Sequence, residues 1–224
     1  MTDPFTARRC RLGFASLLLM TAAVHLSAPA LHAGELALSL EGGYLDITNA
    51  RKSARAVFDD SAGGFTGGGT LRYGFSRRLF LGAGAHYFER TGERVFVTDP
   101  HGTVFRLGHP LTVRLIPAYA LLGYRFIGRR GRSPLVPYLA LGPGITSYHE
   151  ESLIGGLKEG VVSRTKASGH AAGGLEYGRG AFRFGVEVMY SLVPDSVGVG
   201  GVSKVYNEKD VGGFTALGKI VLVP

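Results

Sequence analysis

From about residue 35 onward, apolar residues alternate with small or polar ones, with a period of two, through eight successive segments. Leu36, Leu38, Leu40 and Tyr44 oppose Ser39, Glu41 and Gly43. Phe65, Leu71, Tyr73 and Phe75 oppose Thr66, Thr70 and Arg72, and Leu79, Leu81, Ala83 and Tyr87 oppose Gly82, Gly84 and His86. The fourth segment reads as Leu111, Val113, Leu115, Tyr119 and Leu121 on the apolar face against Thr112, Arg114 and Ala118. A bulge near Leu122-Gly123 would return Tyr124 and Phe126 to the apolar side. Leu139, Leu141 and Ile145 then oppose Tyr138, Gly142, Gly144 and Thr146, and Ala167, Ala171, Leu175 and Tyr177 oppose Lys166, Ser168, His170 and Glu176. Phe182, Phe184, Val186, Val188 and Tyr190 oppose Arg183, Gly185, Glu187 and Ser191. The last segment sets Phe214, Ala216, Ile220 and Leu222 against Thr215 and Lys219.

The connections alternate in length. Short turns fall around Ser76-Arg77-Arg78, Ile127–Ser133 and Gly178-Arg179-Gly180, and longer stretches near 47–63, 89–109, 149–163 and 193–210. The second long stretch reads as a hairpin extension, Val95-Phe96-Val97 and Val104-Phe105, closed by the turn Asp99-Pro100-His101-Gly102. An even number of strands, short turns at one end and long loops at the other predict an all-β fold, an eight-stranded antiparallel up-and-down transmembrane β-barrel. Such a ring has an interior just filled by side chains.

The composition of the two faces decides which one points inward. A soluble ligand-binding barrel turns its apolar face to the lumen, and a membrane barrel turns it to lipid. The non-apolar face here is mostly Gly, Ala, Ser and Thr with few charges, which suits a crowded lumen better than a solvated surface. An unpaired charge inside a lipid-clad wall is costly, so a lumenal ion-pair network is expected. It sets Glu41, Glu176 and Glu187 against Arg72, Arg114, Arg183 and Lys219, with His86 and His170 on the same face. Tyr73, Tyr87, Tyr124, Tyr177 and Tyr190 fall near segment ends, where aromatic girdles belong.

Residues 1–11 carry Arg8, Arg9 and Arg11 against Asp3, Leu12–Val24 is mostly apolar, and Ala28-Pro29-Ala30 and Leu31-His32-Ala33 offer small residues for cleavage. This pattern predicts a secretory signal over 1–33 and a barrel domain over 34–224. His25 and Pro29 interrupt any longer span that would anchor the chain as a helix. Cys10 is the single cysteine, so neither an intramolecular disulfide nor a multi-cysteine zinc site is available. Glycine is abundant, 35 of 224 residues, without a Gly-X-Y period, which excludes collagen. The basic excess of +8 includes the leader arginines, and much of the remainder sits in the short turns.

Three stretches carry a family resemblance: Gly64-Phe65-Thr66-Gly67-Gly68-Gly69-Thr70-Leu71-Arg72-Tyr73-Gly74, Pro137-Tyr138-Leu139-Ala140-Leu141-Gly142-Pro143-Gly144, and Ala171-Ala172-Gly173-Gly174-Leu175-Glu176-Tyr177. Over about residues 35–223 the chain resembles the small Gram-negative outer-membrane barrels of OmpA, OmpX and opacity type. The resemblance implies an outer-membrane location and a monomer. It also implies contact with outer-membrane lipids, lipopolysaccharide and the outer-membrane assembly machinery. Barrels of this type usually end on an aromatic residue read during assembly, whereas this chain ends Ile220-Val221-Leu222-Val223-Pro224. No cell-wall tether role is expected.

Some eight-stranded barrels modify lipid A, which calls for a catalytic set. The only His-x-Ser is His25-Leu26-Ser27, inside the leader. Ser147-Tyr148-His149-Glu150 holds three triad residue types, but neighbours in a strand point to opposite faces, so His149 and Glu150 would not align. Gly67-Gly68-Gly69 lacks the Gly-Lys-Ser/Thr of a phosphate loop. The reading is therefore a non-enzyme with no catalytic residue, no metal site, no cofactor and no nucleic-acid partner. It would act structurally or by surface adhesion and recognition through its long loops. The alternatives are a narrow channel for small or hydrophobic solutes, gated at His86, His170 and the ion pairs, and a lipid A-modifying enzyme. Basic groups in the first long loop, Arg51, Lys52 and Arg55, face Asp59 and Asp60 in sequence and read as a solvated loop.

Overall fold

A computed structural model describes residues 34–127, 134–154 and 157–224. The expected leader, 1–33, and the turn arginines Arg129, Arg130 and Arg132 lie outside the described residues. The strands are β1 (Glu35–Asp46), β2 (Gly63–Gly74), β3 (Leu79–Val97), β4 (Val104–Arg125), β5 (Leu135–Ile154), β6 (Leu157–Arg179), β7 (Phe182–Leu192) and β8 (Gly213–Leu222). Two short helices, α1 (Arg51–Val57) and α2 (Gly201–Val205), sit between β1 and β2 and between β7 and β8. Every strand is antiparallel to its neighbours, and β1 pairs with β8 from Leu38↔Leu222 to Asp46↔Phe214. The ring is closed, so within it every strand is paired on both sides.

Alternation along each strand sorts the side chains. Leu40, Leu141 and Val186 are 60%, 68% and 60% exposed, while Glu41 and Glu187, the next residues in their strands, are 6% and 5% exposed. Exposed leucine, valine and phenylalanine with buried glutamate is the reverse of a water-soluble barrel. An apolar belt around a polar interior is the arrangement a bilayer demands. Glycine in the wall makes room for what fills the lumen: a Cβ at Gly123 would overlap the Phe80 ring.

The two central hairpins stand well above the belt. β3 and β4 stay paired out to Val97↔Val104, and β5 and β6 out to Ile154↔Leu157. The hairpin extension read in 89–109 is present, and much of 149–163, read as a long connection, is strand as well. Register shifts between Glu93 and Val95 and between Glu150 and Ser152 bend these extensions.

The fourth segment requires a correction. Its register against β3 and β5 is continuous through Leu122-Gly123, so no bulge occurs there. Leu111, Val113, Leu115, Tyr119 and Leu121 are buried inside the ring. Arg114 consequently points outward, where it pairs with Glu89 at the rim, and does not belong to the lumenal network. The reason is physical. The ring interior is not polar along its whole height, because its upper part is packed with aliphatic and aromatic side chains. An apolar residue therefore does not by itself mark the lipid face.

Candidate functional site: a loop-walled cavity above a sealed lumen

The lumen is filled from the short-turn end upward. Arg183 forks onto Glu35, Nη1 to Oε1 at 3.0 Å and Nη2 to Oε2 at 3.2 Å, and Arg125 approaches Glu35 Oε1 at 3.6 Å. Arg72 pairs with Glu176, and its guanidinium lies 5.6 Å from the Phe80 ring centre and 5.9 Å from that of Tyr138. Above this, Lys219 Nζ donates to Glu187 Oε2 at 2.7 Å and to the Tyr138 hydroxyl at 3.2 Å, and pairs with Glu41 Oε1 at 3.0 Å. Tyr138 donates its own hydrogen to Glu187. His86 Nε2 lies 2.7 Å from Glu41 Oε2, and Ser39 donates to Glu41 Oε1 at 2.6 Å. His170 is held between Ser168 at 2.8 Å and Ser191 at 2.9 Å, with its ring 5.2 Å from Tyr119.

The structure thus brings Glu41, Arg72, His86, His170, Glu176, Arg183, Glu187 and Lys219 into the lumen. Two members, Glu35 and Arg125, have no counterpart in the sequence reading, and Tyr119, read onto the apolar face of the fourth segment, points inward. Glu35 is the first residue of β1 and Arg125 the last of β4, so each stands at the end of an alternating segment. The four carboxylates Glu35, Glu41, Glu176 and Glu187 face four cations, Arg72, Arg125, Arg183 and Lys219. Balance of this kind is what a low-dielectric interior requires of buried charge.

On top of this network lies an apolar plug. Phe88, Leu115, Val113, Tyr148, Val193 and Val211 pack with Ala54 and Phe58 of the first long loop. A water-filled pore would leave its lining exposed, yet Phe88, Phe80, Arg72 and His86 are 0%, 2%, 2% and 3% exposed. The lumen is closed.

The girdle tyrosines divide between the two ends. Tyr73, Tyr124 and Tyr177 point outward near the short-turn end, and Tyr87 does so near the loop end. Tyr190 is half-buried, stacks 4.7 Å from Phe214 and donates to Asn49 Oδ1 at 3.0 Å. Tyr44, in edge contact with Phe65 at 6.1 Å, joins this end unanticipated. Of the triad residue types, His149 meets Glu151 at 3.7 Å on one face, while Glu150 accepts from Tyr148 on the other.

Above the plug the loops enclose a cavity of about 420 Å³. Its apolar wall comes from Ile47, Val95, Leu111, Val113, Val162 and Val211, and Arg94, Glu150, Ser152 and Arg164 add polar groups. Two clasps set its roof. Arg90 reaches from β3 to Ser61 Oγ at 2.8 Å and to the Phe58 carbonyl at 3.2 Å, and its guanidinium lies 4.9 Å from the Phe58 ring centre. Glu208, from the last loop, accepts the amides of Lys52 and Ser53 at 3.0 and 2.9 Å and the Ser53 hydroxyl at 2.5 Å. Helix α1 has no side-chain cap of its own, so Glu208 satisfies amides that would otherwise lack partners. Glu208→Ala is expected to cost α1 about 1–2 kcal/mol, the usual worth of a cap. Hydrogen exchange should accelerate across residues 51–57 while the thermal transition of the barrel stays put, and unchanged exchange there would refute the clasp.

No family model matches the chain, and no curated protein matches it. In shape it is similar to Neisserial surface protein A, with TM-score 0.49, 15% identity, and coverage of 85% of this chain and 97% of that one. It is also similar to OprG of Pseudomonas aeruginosa, with TM-score 0.48, 13% identity, and coverage of 86% and 94%. The N-terminal β-barrel domain of Pseudomonas aeruginosa OprF gives TM-score 0.47, 12% identity, and coverage of 85% and 99%. With its closed ring, exposed apolar belt, short turns at one end and ordered loops at the other, the chain is an eight-stranded antiparallel β-barrel of transmembrane type.

Proposed function

We propose that this protein is a non-conducting surface-recognition barrel, in which the membrane-spanning ring serves as a rigid base and the loop-walled cavity is the working part. The observation that carries the reading is the contrast between the two halves of the interior. Below the plug the lumenal carboxylates are buried and ion-paired, and above it an ordered cavity opens among loops that are clasped to one another. Recognition sites are commonly placed on loops held by a rigid scaffold. The buried lumen speaks against the channel alternative, since His86 and His170 are already hydrogen-bonded to neighbouring side chains. The reading assigns no catalytic step, and Ser147 and His149 lie on the face opposite Glu150. Outer-membrane lipids and lipopolysaccharide would be its surroundings, with exposed Arg77 and Arg78 near headgroups at the short-turn end.

Planar-bilayer recording tests this directly. The purified barrel is expected to show no single-channel steps. Reproducible steps in the unmodified protein would overturn the reading in favour of solute passage.

A further inference from the structure

We propose that the extracellular cavity binds a single medium-chain amphiphile carrying one negative charge, such as an aliphatic carboxylate. This deepens the surface-recognition reading and rests on it. Three observations point to that chemistry. First, the wall is aliphatic, and at about 420 Å³ the space is near the lower end of ligand pockets, suited to one short acyl chain.

Second, the polar groups are unequal in charge. Arg94 and Arg164 line the cavity, and among the described residues neither has a carboxylate partner. Among the described residues Glu150 is the only lining acid, and it is occupied by the Tyr148 hydroxyl. Arg164 stands directly across from Tyr148 in the β5–β6 register, so this guanidinium lies at the border between plug and cavity. Guanidinium groups favour carboxylate over neutral headgroups because they donate two parallel hydrogen bonds.

Third, the Ser152 hydroxyl is an orphan. Ser152 is 2% exposed, its Oγ has no hydrogen-bond partner, and it lines this cavity. Buried hydroxyls without a partner are uncommon in native proteins, and a ligand oxygen would satisfy this one. A wholly apolar ligand would leave both the hydroxyl and the arginines unmet. A cation would meet two like charges.

Calorimetry on the full barrel in phospholipid nanodiscs, with empty nanodiscs subtracted, tests the assignment using sodium decanoate at pH 8. Decanol and decyltrimethylammonium serve as the neutral and cationic counterparts. Decanoate is expected to bind with Kd of about 0.1–1 mM, given its size. It should bind about tenfold or more tightly than decanol, with no binding of the cation. The double variant R94Q/R164Q should lose that advantage while retaining decanol binding. If the double variant fails to fold by circular dichroism, R164Q alone must weaken decanoate by about threefold or more. Equal binding of decanoate and decanol, unaffected by either variant, would overturn the anionic assignment. Failure of both ligands to bind the folded barrel would overturn the amphiphile proposal outright. The non-conducting recognition reading falls on separate evidence, single-channel steps, so the two failures are distinguishable.

Discussion

Arg72→Ala is expected to destabilise the barrel by about 3–5 kcal/mol, because it strands the Glu176 carboxylate in the lumen. Arg72 and Glu176 are each 2% exposed, so bulk solvent does not reach Glu176 to replace the lost guanidinium. The substitution also removes the cation that lies against Phe80 and Tyr138. The pair itself is a weak source of net stability, since desolvating two charges costs nearly as much as their attraction returns. The double replacement Arg72→Met with Glu176→Leu is therefore expected to cost far less than Arg72→Ala alone. Urea unfolding of the barrel in lipid vesicles, followed by circular dichroism, measures both, and that probe suits a chain without tryptophan. A loss under about 1 kcal/mol for Arg72→Ala would mean that the charge pairing of the lumen is not what holds Glu176 in place.

Val186→Arg tests the opposite face of the wall. Val186 is 60% exposed and sits midway along β7, which spans Phe182–Leu192. In water an arginine at such a position would cost almost nothing. Facing the hydrocarbon midplane of a bilayer, it is expected to cost about 2–4 kcal/mol. Val186→Leu, which keeps the belt apolar, is expected to change stability by well under that amount. The natural Arg114 is the instructive counterpart: it faces outward too, but at the loop-side rim beside Glu89, where a charge reaches water. Vesicle refolding assays compare the two substitutions, and equal stability of Val186→Arg and Val186→Leu would contradict the lipid-facing assignment of this surface.

Strand β7 was legible in the sequence because its faces follow one rule, apolar outward and polar or small inward, from Phe182 to Ser191 with Met189 the exception. Strand β4 misled for the converse reason. Its inward residues Leu111, Val113 and Leu115 belong to the plug, and its outward Thr112 and Arg114 stand at the water-facing rim, so the polarity of the two faces is inverted there. Period two reports that a segment is a strand. It does not report which side is inside when the interior changes character along its height. Helix α1 was hidden for a different reason: Ala50 at its start makes no side-chain cap, no acid occupies its first turn, and its amides are met by Glu208 from the far end of the chain.

The sequence by itself determined the number of strands, their antiparallel order, the direction of the lipid-facing belt over seven of the eight, and most of the lumenal charges. These follow from local alternation and turn chemistry, which each segment carries independently. Only the tertiary structure decided that Glu35 and Arg125 complete the charge balance, that Arg114 stands outside it, and that an apolar plug closes the ring beneath a cavity. These depend on contacts between strands far apart in the chain, such as Arg72 with Glu176 and Lys52 with Glu208. Closure of the ring brings such residues together, and no local pattern encodes which of them will meet.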